Sequence, residues 1–210
     1  MDNIAIIDLN FLESKEAIAS FLIETSEGPI LVETGPESTF HQLKEGVLKN
    51  GYAIEEIKHV LLTHIHFDHA GAAWKLAELG AKIYVHPVGA PHLASPEKLW
   101  NSAAQIYGDD MQRLWGEMQA IPQEQIIEVQ HEEELTIGNI KFKALHTPGH
   151  ASHHIAWKTG NVIFTGDVAG VKINGGPAVP PCPPPDINIR EWEISLGILK
   201  AEKPECLFCY

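Results

Sequence analysis

Apolar and polar positions divide the chain into short elements whose period changes along its length. Ile4 to Asn10, Ala17 to Thr25 and Pro29 to Glu33 are apolar runs broken by polar turns, with Glu27-Gly28 before the third; together they read as a β-meander. The period shifts at Ser38 to Asn50, where Phe40, Leu43, Val47 and Leu48 share one helical face. Gly51 stands where a helix C-cap glycine belongs. Lys58 to Thr63 is apolar and β-rich, and Ala70 to Leu79 is helix-forming with Gly80 as its stop, so residues 64–69 fall on a strand-to-helix loop.

Residues 82–86 predict another strand, and Ser95-Pro96-Glu97 an N-cap followed by proline at the first helical position. Trp100, Ala103, Ala104 and Tyr107, then Met111, Leu114, Trp115 and Met118, keep helical spacing, which predicts one or two helices over 96–119 with an aromatic stripe packed toward the core. Strands follow near 126–130, 135–138, 140–145, 154–158 and 162–165, with hairpin turns at Gly138-Asn139 and Thr159-Gly160-Asn161. Ala169 to Asn188 holds Pro177, Pro180, Pro181, Pro183, Pro184 and Pro185, a density that excludes helix interior and central strand and predicts an irregular surface loop. Ile189 to Ala201 predicts a helix ended by Pro204, and Glu205 to Tyr210 a last strand.

Composition narrows the function classes. The chain has 210 residues, 44% of them hydrophobic, enough for one domain over 1–210 with a sizeable core. Its net charge of −13 argues against nucleic acid, whose binding draws on phosphate neutralisation by Lys and Arg. The N-terminus lacks a basic segment and a long apolar run, so no signal peptide, membrane span or membrane partner is expected, and residence is expected to be cytoplasmic. Cys182, Cys206 and Cys209 read as reduced thiols, the Cys206-Leu207-Phe208-Cys209 spacing as a strand rather than a redox pair. A small-molecule substrate is the expected partner, and the oligomeric state is left open.

Candidate chemistry is concentrated in His64-Ile65-His66-Phe67-Asp68-His69. In an extended loop His64, His66 and Asp68 point to one side, and His69 arrives as the chain turns into the helix. Such a cluster should arise by chance on the order of once per thousand chains of this composition. Imidazole and carboxylate together suit zinc, iron or manganese rather than the all-oxygen cages of calcium or magnesium. Two further segments put ligand types after strands: His146-Thr147-Pro148-Gly149-His150 and Thr165-Gly166-Asp167.

These three motifs, in this order and after a strand-rich N-terminus, resemble the metallo-β-lactamase superfamily, and His146 to His150 most resembles its glyoxalase II-like members. The resemblance covers nearly the whole chain. It implies the α+β class, a four-layer αβ/βα sandwich of the metallo-β-lactamase fold, with the metal site at one edge of its two sheets. It implies His64, His66 and His150 as ligands of a first metal, Asp68 and His69 of a second, and Asp167 bridging both. Two zinc ions are the implied cofactor, with iron or manganese as alternatives. Glu33-Thr34-Gly35 departs from the family's usual Asp-x-Gly turn. The family's last ligand, a histidine after the final strand, has no counterpart, since no His follows position 154. The expectation is a domain lacking its C-terminal end; the alternative is a second site of Asp68, His69, Asp167 and water.

The implied activity is hydrolysis of a small ester, thioester or lactone by metal-activated water, with Asp68 as the catalytic group that orients it or accepts its proton. The alternatives are a mononuclear iron persulfide dioxygenase-like oxidoreductase and a non-catalytic metal-binding protein. The helices at 96–119 and the loop at 169–188 are the expected pocket walls. Lys172 and Arg190 read as surface charge that could meet a substrate carboxylate, and His153 and His154 as strand-edge histidines.

Overall fold

The computed structural model describes residues 3–173, 175–183 and 186–209; Met1, Asp2, Asn174, Pro184, Pro185 and Tyr210 lie outside them, and so do the parts of the expected proline-rich loop and last strand that fall on these positions. Six strands form the first sheet in sequence order: β1 (Ile4–Asp8), β2 (Ala19–Thr25), β3 (Gly28–Val32), β4 (His59–Leu61), β5 (Lys82–Val85) and β6 (Ile126–Glu128). The first three pair antiparallel as a meander, and the rest are parallel, each reached by a crossover. The second sheet runs β11-β10-β9-β8-β7 and comprises β7 (Glu134–Ile137), β8 (Ile140–His146), β9 (Ile155–Thr159), β10 (Val162–Gly166) and β11 (Cys206–Cys209). Only β11 pairs parallel there.

Alternation along the strands explains the stacking. Phe21, Ile23, Ile30, Val32 and Leu61 face Phe142, Ile155, Trp157 and Phe164 to form a core between the sheets. Their neighbours Leu22, Leu31 and Val60 point the other way, against α1 (Phe40–Lys49), α3 (Ala73–Glu78) and α4 (Ala90–Ala94). On the far side Leu145, Ala156 and Ile163 meet Trp192 and Leu199 of α7 (Ile189–Ala201). Because side chains on a strand alternate faces, each sheet can bury both of its faces, and the result is a four-layer αβ/βα sandwich. Among the described residues no helix is long and apolar enough to cross a membrane.

Three local features differ from the pattern reading. The loop after β4 is not extended as far as His69: α2 (Phe67–Ala70) begins right after His66, so Asp68 and His69 stand on a helical turn. The helix expected over 70–79 is interrupted at Gly71-Ala72, because Thr34 donates to the His69 carbonyl from its amide (2.8 Å) and hydroxyl (2.9 Å), and the Ala72 amide donates to the Gly35 carbonyl (2.9 Å). Those tertiary bonds occupy groups that a continuous helix would use itself. The segment 96–119 holds two helices, within the expectation, α5 (Glu97–Tyr107) and α6 (Met111–Trp115), whereas α4, which has proline in its first turn, carried no periodic signal.

Candidate metal centre

Three strand ends deliver the candidate ligands to one rim of the sandwich. His64 and His66 follow β4, His150 follows β8, and Asp167 follows β10 directly. Gly166 makes that last turn close enough: with φ of +47° it adopts a backbone that L side chains disfavour, and a Cβ there would lie 2.5 Å from the Thr63 hydroxyl.

His66 Nδ1 lies 3.0 Å from both His64 Nε2 and His150 Nε2. His64, His69 and Asp167 form a second group, so His64 belongs to both. Asp167 stands between them, with Oδ2 3.2 Å from His150 Nε2 and Oδ1 3.2 Å from His69 Nε2. Asp68 approaches from the cleft, with Oδ2 3.6 Å from His69 Nε2 and its side chain 30% exposed. The structure therefore brings His64, His66, His69, His150 and Asp167 into one cluster of two groups joined at His64 and sets Asp68 at its edge, beside His69.

The tautomers follow from the groups behind the imidazoles. The buried Glu33 carboxylate accepts from the Thr63 hydroxyl and, at 3.2 Å, from His69 Nδ1. With its proton so used, the Thr63 oxygen accepts from His64 Nδ1 at 3.0 Å. His150 Nδ1 donates to the Pro181 carbonyl at 3.0 Å. His64 and His150 are thus left with an Nε2 lone pair directed at the centre, and His69 turns its Nε2 to the Asp167 carboxylate. Imidazole lone pairs about 3 Å apart repel unless a cation shares them, and nitrogens on a four-coordinate zinc at about 2.0–2.1 Å would stand roughly 3.3–3.4 Å apart. Donor chemistry and spacing both fit a metal ion.

Electrostatics point the same way. Burial first, then the neighbouring imidazoles, hold His64 and His66 well below the usual histidine range, so they are neutral and available as ligands. Burial would also lower His69, but the Asp68, Asp167 and Glu33 charges outweigh it and raise it well above that range. Burial opposes ionisation of Asp167, yet His69 and His150 more than offset it and hold the carboxyl well below its ordinary value. Burial pushes Asp68 up to about 6, tempered by His69.

A cleft of about 450 Å³ opens beside the centre, with His66, Asp68, His153 and Asp167 at its inner end. Its outer walls come from α5, α6 and the proline-rich loop, through Leu99, Ile106, Trp115 and Pro181 among others. Thus the aromatic stripe divides its work: Trp100 and Trp115 pack with Phe67 while Trp115 also faces the cleft. Lys172 and Arg190 are not part of the lining; among the described residues its lysine is Lys98. His153 and His154 stand at the start of β9, as expected of strand-edge histidines, and are buried beside the centre, 5% and 0% exposed. Glu33 and Thr63 are the functional residues that the spacing of the motifs did not single out as a pair; the Glu-Thr-Gly departure was the only signal.

Comparison with known proteins agrees with this geometry. Residues 15–209 match the sequence model of the metallo-beta-lactamase superfamily. A metallo-beta-lactamase fold-containing protein of Sulfurisphaera tokodaii is 33% identical over 147 residues, 68% of this chain and 56% of the relative, so the match spans little more than half of that relative's length. The crystal structure of an archaeal superfamily member from Sulfolobus tokodaii superposes with a TM-score of 0.81 at 26% identity, covering 99% of this chain and 78% of that one. An N-acyl homoserine lactonase of Bacillus thuringiensis is 25% identical over 226 residues, 90% of this chain and 78% of the relative. With nearly all of the chain matched, this protein belongs to the metallo-beta-lactamase superfamily.

Proposed function

We propose that the protein is a hydrolase of a small ester, thioester or lactone that works with zinc, two ions when the centre is full. The observation that carries this reading is Asp167, one oxygen toward His150 and the other toward His69, at the inner end of a cleft of about 450 Å³, the size range of small-ligand sites. When bound, the metal would supply a water acidified toward neutral pH and a Lewis acid for the scissile carbonyl.

The chain's own residues do the rest. Glu33, through Thr63 and directly, and the Pro181 carbonyl hold the imidazoles with lone pairs inward. Asp68 faces the cleft beside His69, placed to orient a water or accept its proton. The proline-rich loop and α5 wall the substrate in and limit bulk water. Superfamily membership and the lactonase relative support the reaction class, and ester, thioester and lactone cleavage share attack on an acyl carbon. The three unpaired thiols suit a cytoplasmic enzyme.

Protein stripped of metal and reconstituted with zinc should cleave a phenyl ester, a thioester or an acyl lactone, and His66→Ala should abolish turnover. Elemental analysis should find two zinc per chain. One iron per chain with oxygen consumption on a persulfide, or no turnover of any of the three substrates by fully metallated protein, would overturn the proposal.

A further inference from the structure

The outer cleft carries an unusual surface for a place reached by water. Val88, Ile106 and Tyr107 are 50%, 63% and 38% exposed, and all three line it, next to Leu99 and Trp115. Large apolar side chains gathered at a concave site mark a binding surface rather than random exposure.

This wall is held firmly. Trp115 stacks on Phe11 with ring centres 5.6 Å apart and an interplanar angle of 15°, and Tyr107 meets its edge at 5.3 Å. Phe67, Ala103 and Met111 form a small apolar cluster of their own beneath it. The Ser38 hydroxyl donates to the Leu114 carbonyl at 2.6 Å, and the Glu117 amide donates to Glu37 at 3.1 Å, which ties the C-terminal end of α6 to the body of the protein. A wall anchored in this way loses little entropy when a ligand settles on it.

Charge decides what the wall accepts. With Asp68 and Asp167 committed to the centre, the remaining carboxylate and ammonium of the lining among the described residues are Asp186 and Lys98, which cancel. A carrier rich in phosphates or carboxylates would find no cluster of cations to bind it.

Resting on the hydrolase reading above, we infer that the substrate's acyl part is an uncharged apolar chain seated against Val88, Leu99, Ile106, Tyr107 and Trp115. Burying one methylene then improves binding about fourfold.

Zinc-loaded protein should be assayed on p-nitrophenyl esters from acetyl to decanoyl, and by calorimetry on the p-nitrophenyl alkyl ethers of the same lengths, which cannot be hydrolysed. Specificity (kcat/KM) for the esters and affinity for the ethers should both rise about fourfold per methylene until the cleft is filled. Ile106→Asp and Val88→Asp, both at exposed positions, should flatten that rise in both series. Leu207→Asp, an exposed apolar position on β11, should leave the slope intact. Ether binding with the expected slope but no ester cleavage would support the acyl wall and sink the hydrolase reading. A flat slope in both series, or faster cleavage of a succinyl ester than of the neutral ester of equal length, would overturn the inference and leave the hydrolase reading standing if the acetyl ester is cleaved.

Discussion

Glu33→Gln removes one negative charge from a buried position while nearly preserving the shape of the side chain. In the folded protein that carboxylate accepts from the Thr63 hydroxyl, from the Thr63 amide at 3.3 Å and from His69 Nδ1 at 3.2 Å. A glutamine offers one acceptor oxygen, and its amide group must then face a donor. The Thr63 hydroxyl and His69 Nδ1 share Oε1 while the Thr63 amide uses Oε2, so the glutamine either leaves the Thr63 amide facing an NH2 group and holds the other two donors with an uncharged oxygen, or turns its NH2 group on both; in each case the bonds that set the tautomers of His64 and His69 are weakened or lost. A buried hydrogen bond to a charged group contributes about 1.5–3 kcal/mol, which corresponds to roughly 10- to 150-fold in an equilibrium. Removal of a group that orients metal ligands weakens metal binding about 10- to 100-fold in comparable sites. Competition against a chromogenic chelator should accordingly show zinc affinity reduced about 10- to 100-fold, with the far-ultraviolet circular dichroism unchanged. Glu33→Asp, which keeps the charge but draws it back by one methylene, should fall between the two. Wild-type affinity, within twofold, in a folded Glu33→Gln protein would refute the claim that this carboxylate orients the ligands.

Other perturbations probe the scaffold. Gly149→Ala would put a Cβ 2.4 Å from the backbone of Trp192 at a φ of +129°, so Tm should fall by about 5–15 °C; an unchanged Tm would contradict the close packing of α7 on the His150 loop. Trp157→Phe removes the indole N–H that donates to the buried Leu62 carbonyl at 2.9 Å, just before the ligand loop, and should cost about 1–3 kcal/mol in urea unfolding at constant m value. Burial, then the neighbouring His146, holds His86 down at about 4, against an ordinary value of 6.5. Between those values the unfolded chain binds a proton that the folded one does not, so His86 contributes stability above pH 6.5 that is lost as pH falls through 4. In metal-free protein the drop in urea midpoint from pH 7 to pH 5 should be smaller for His86→Gln than for wild type; an equal drop would show that His86 is not responsible.

What could be read from the chain was local. Apolar alternation and helical spacing identified the strands of both sheets, and α7 was read from Ile189 to Ala201 between the proline-rich segment and the terminating Pro204. His64 to His69 announced a metal segment because the residue types and their spacing are short-range facts. The interruption at Gly71-Ala72 was not legible, since its cause is Thr34 and Gly35, more than thirty residues away in the chain. Nor was the division of roles: His64 faces both ligand groups, and Asp68 stands on a helical turn rather than in line with His64 and His66. Glu33 looked like a simple departure from a family turn, and only the fold shows that one carboxylate reaches both Thr63 and His69. The sequence by itself determined which side chains can bind a metal and which faces must be buried, because residue chemistry and strand period are properties of neighbours. Packing of the two sheets decided which of those side chains meet, how their tautomers are held and what walls the cleft, because such contacts join distant segments and form only when the hydrophobic layers close.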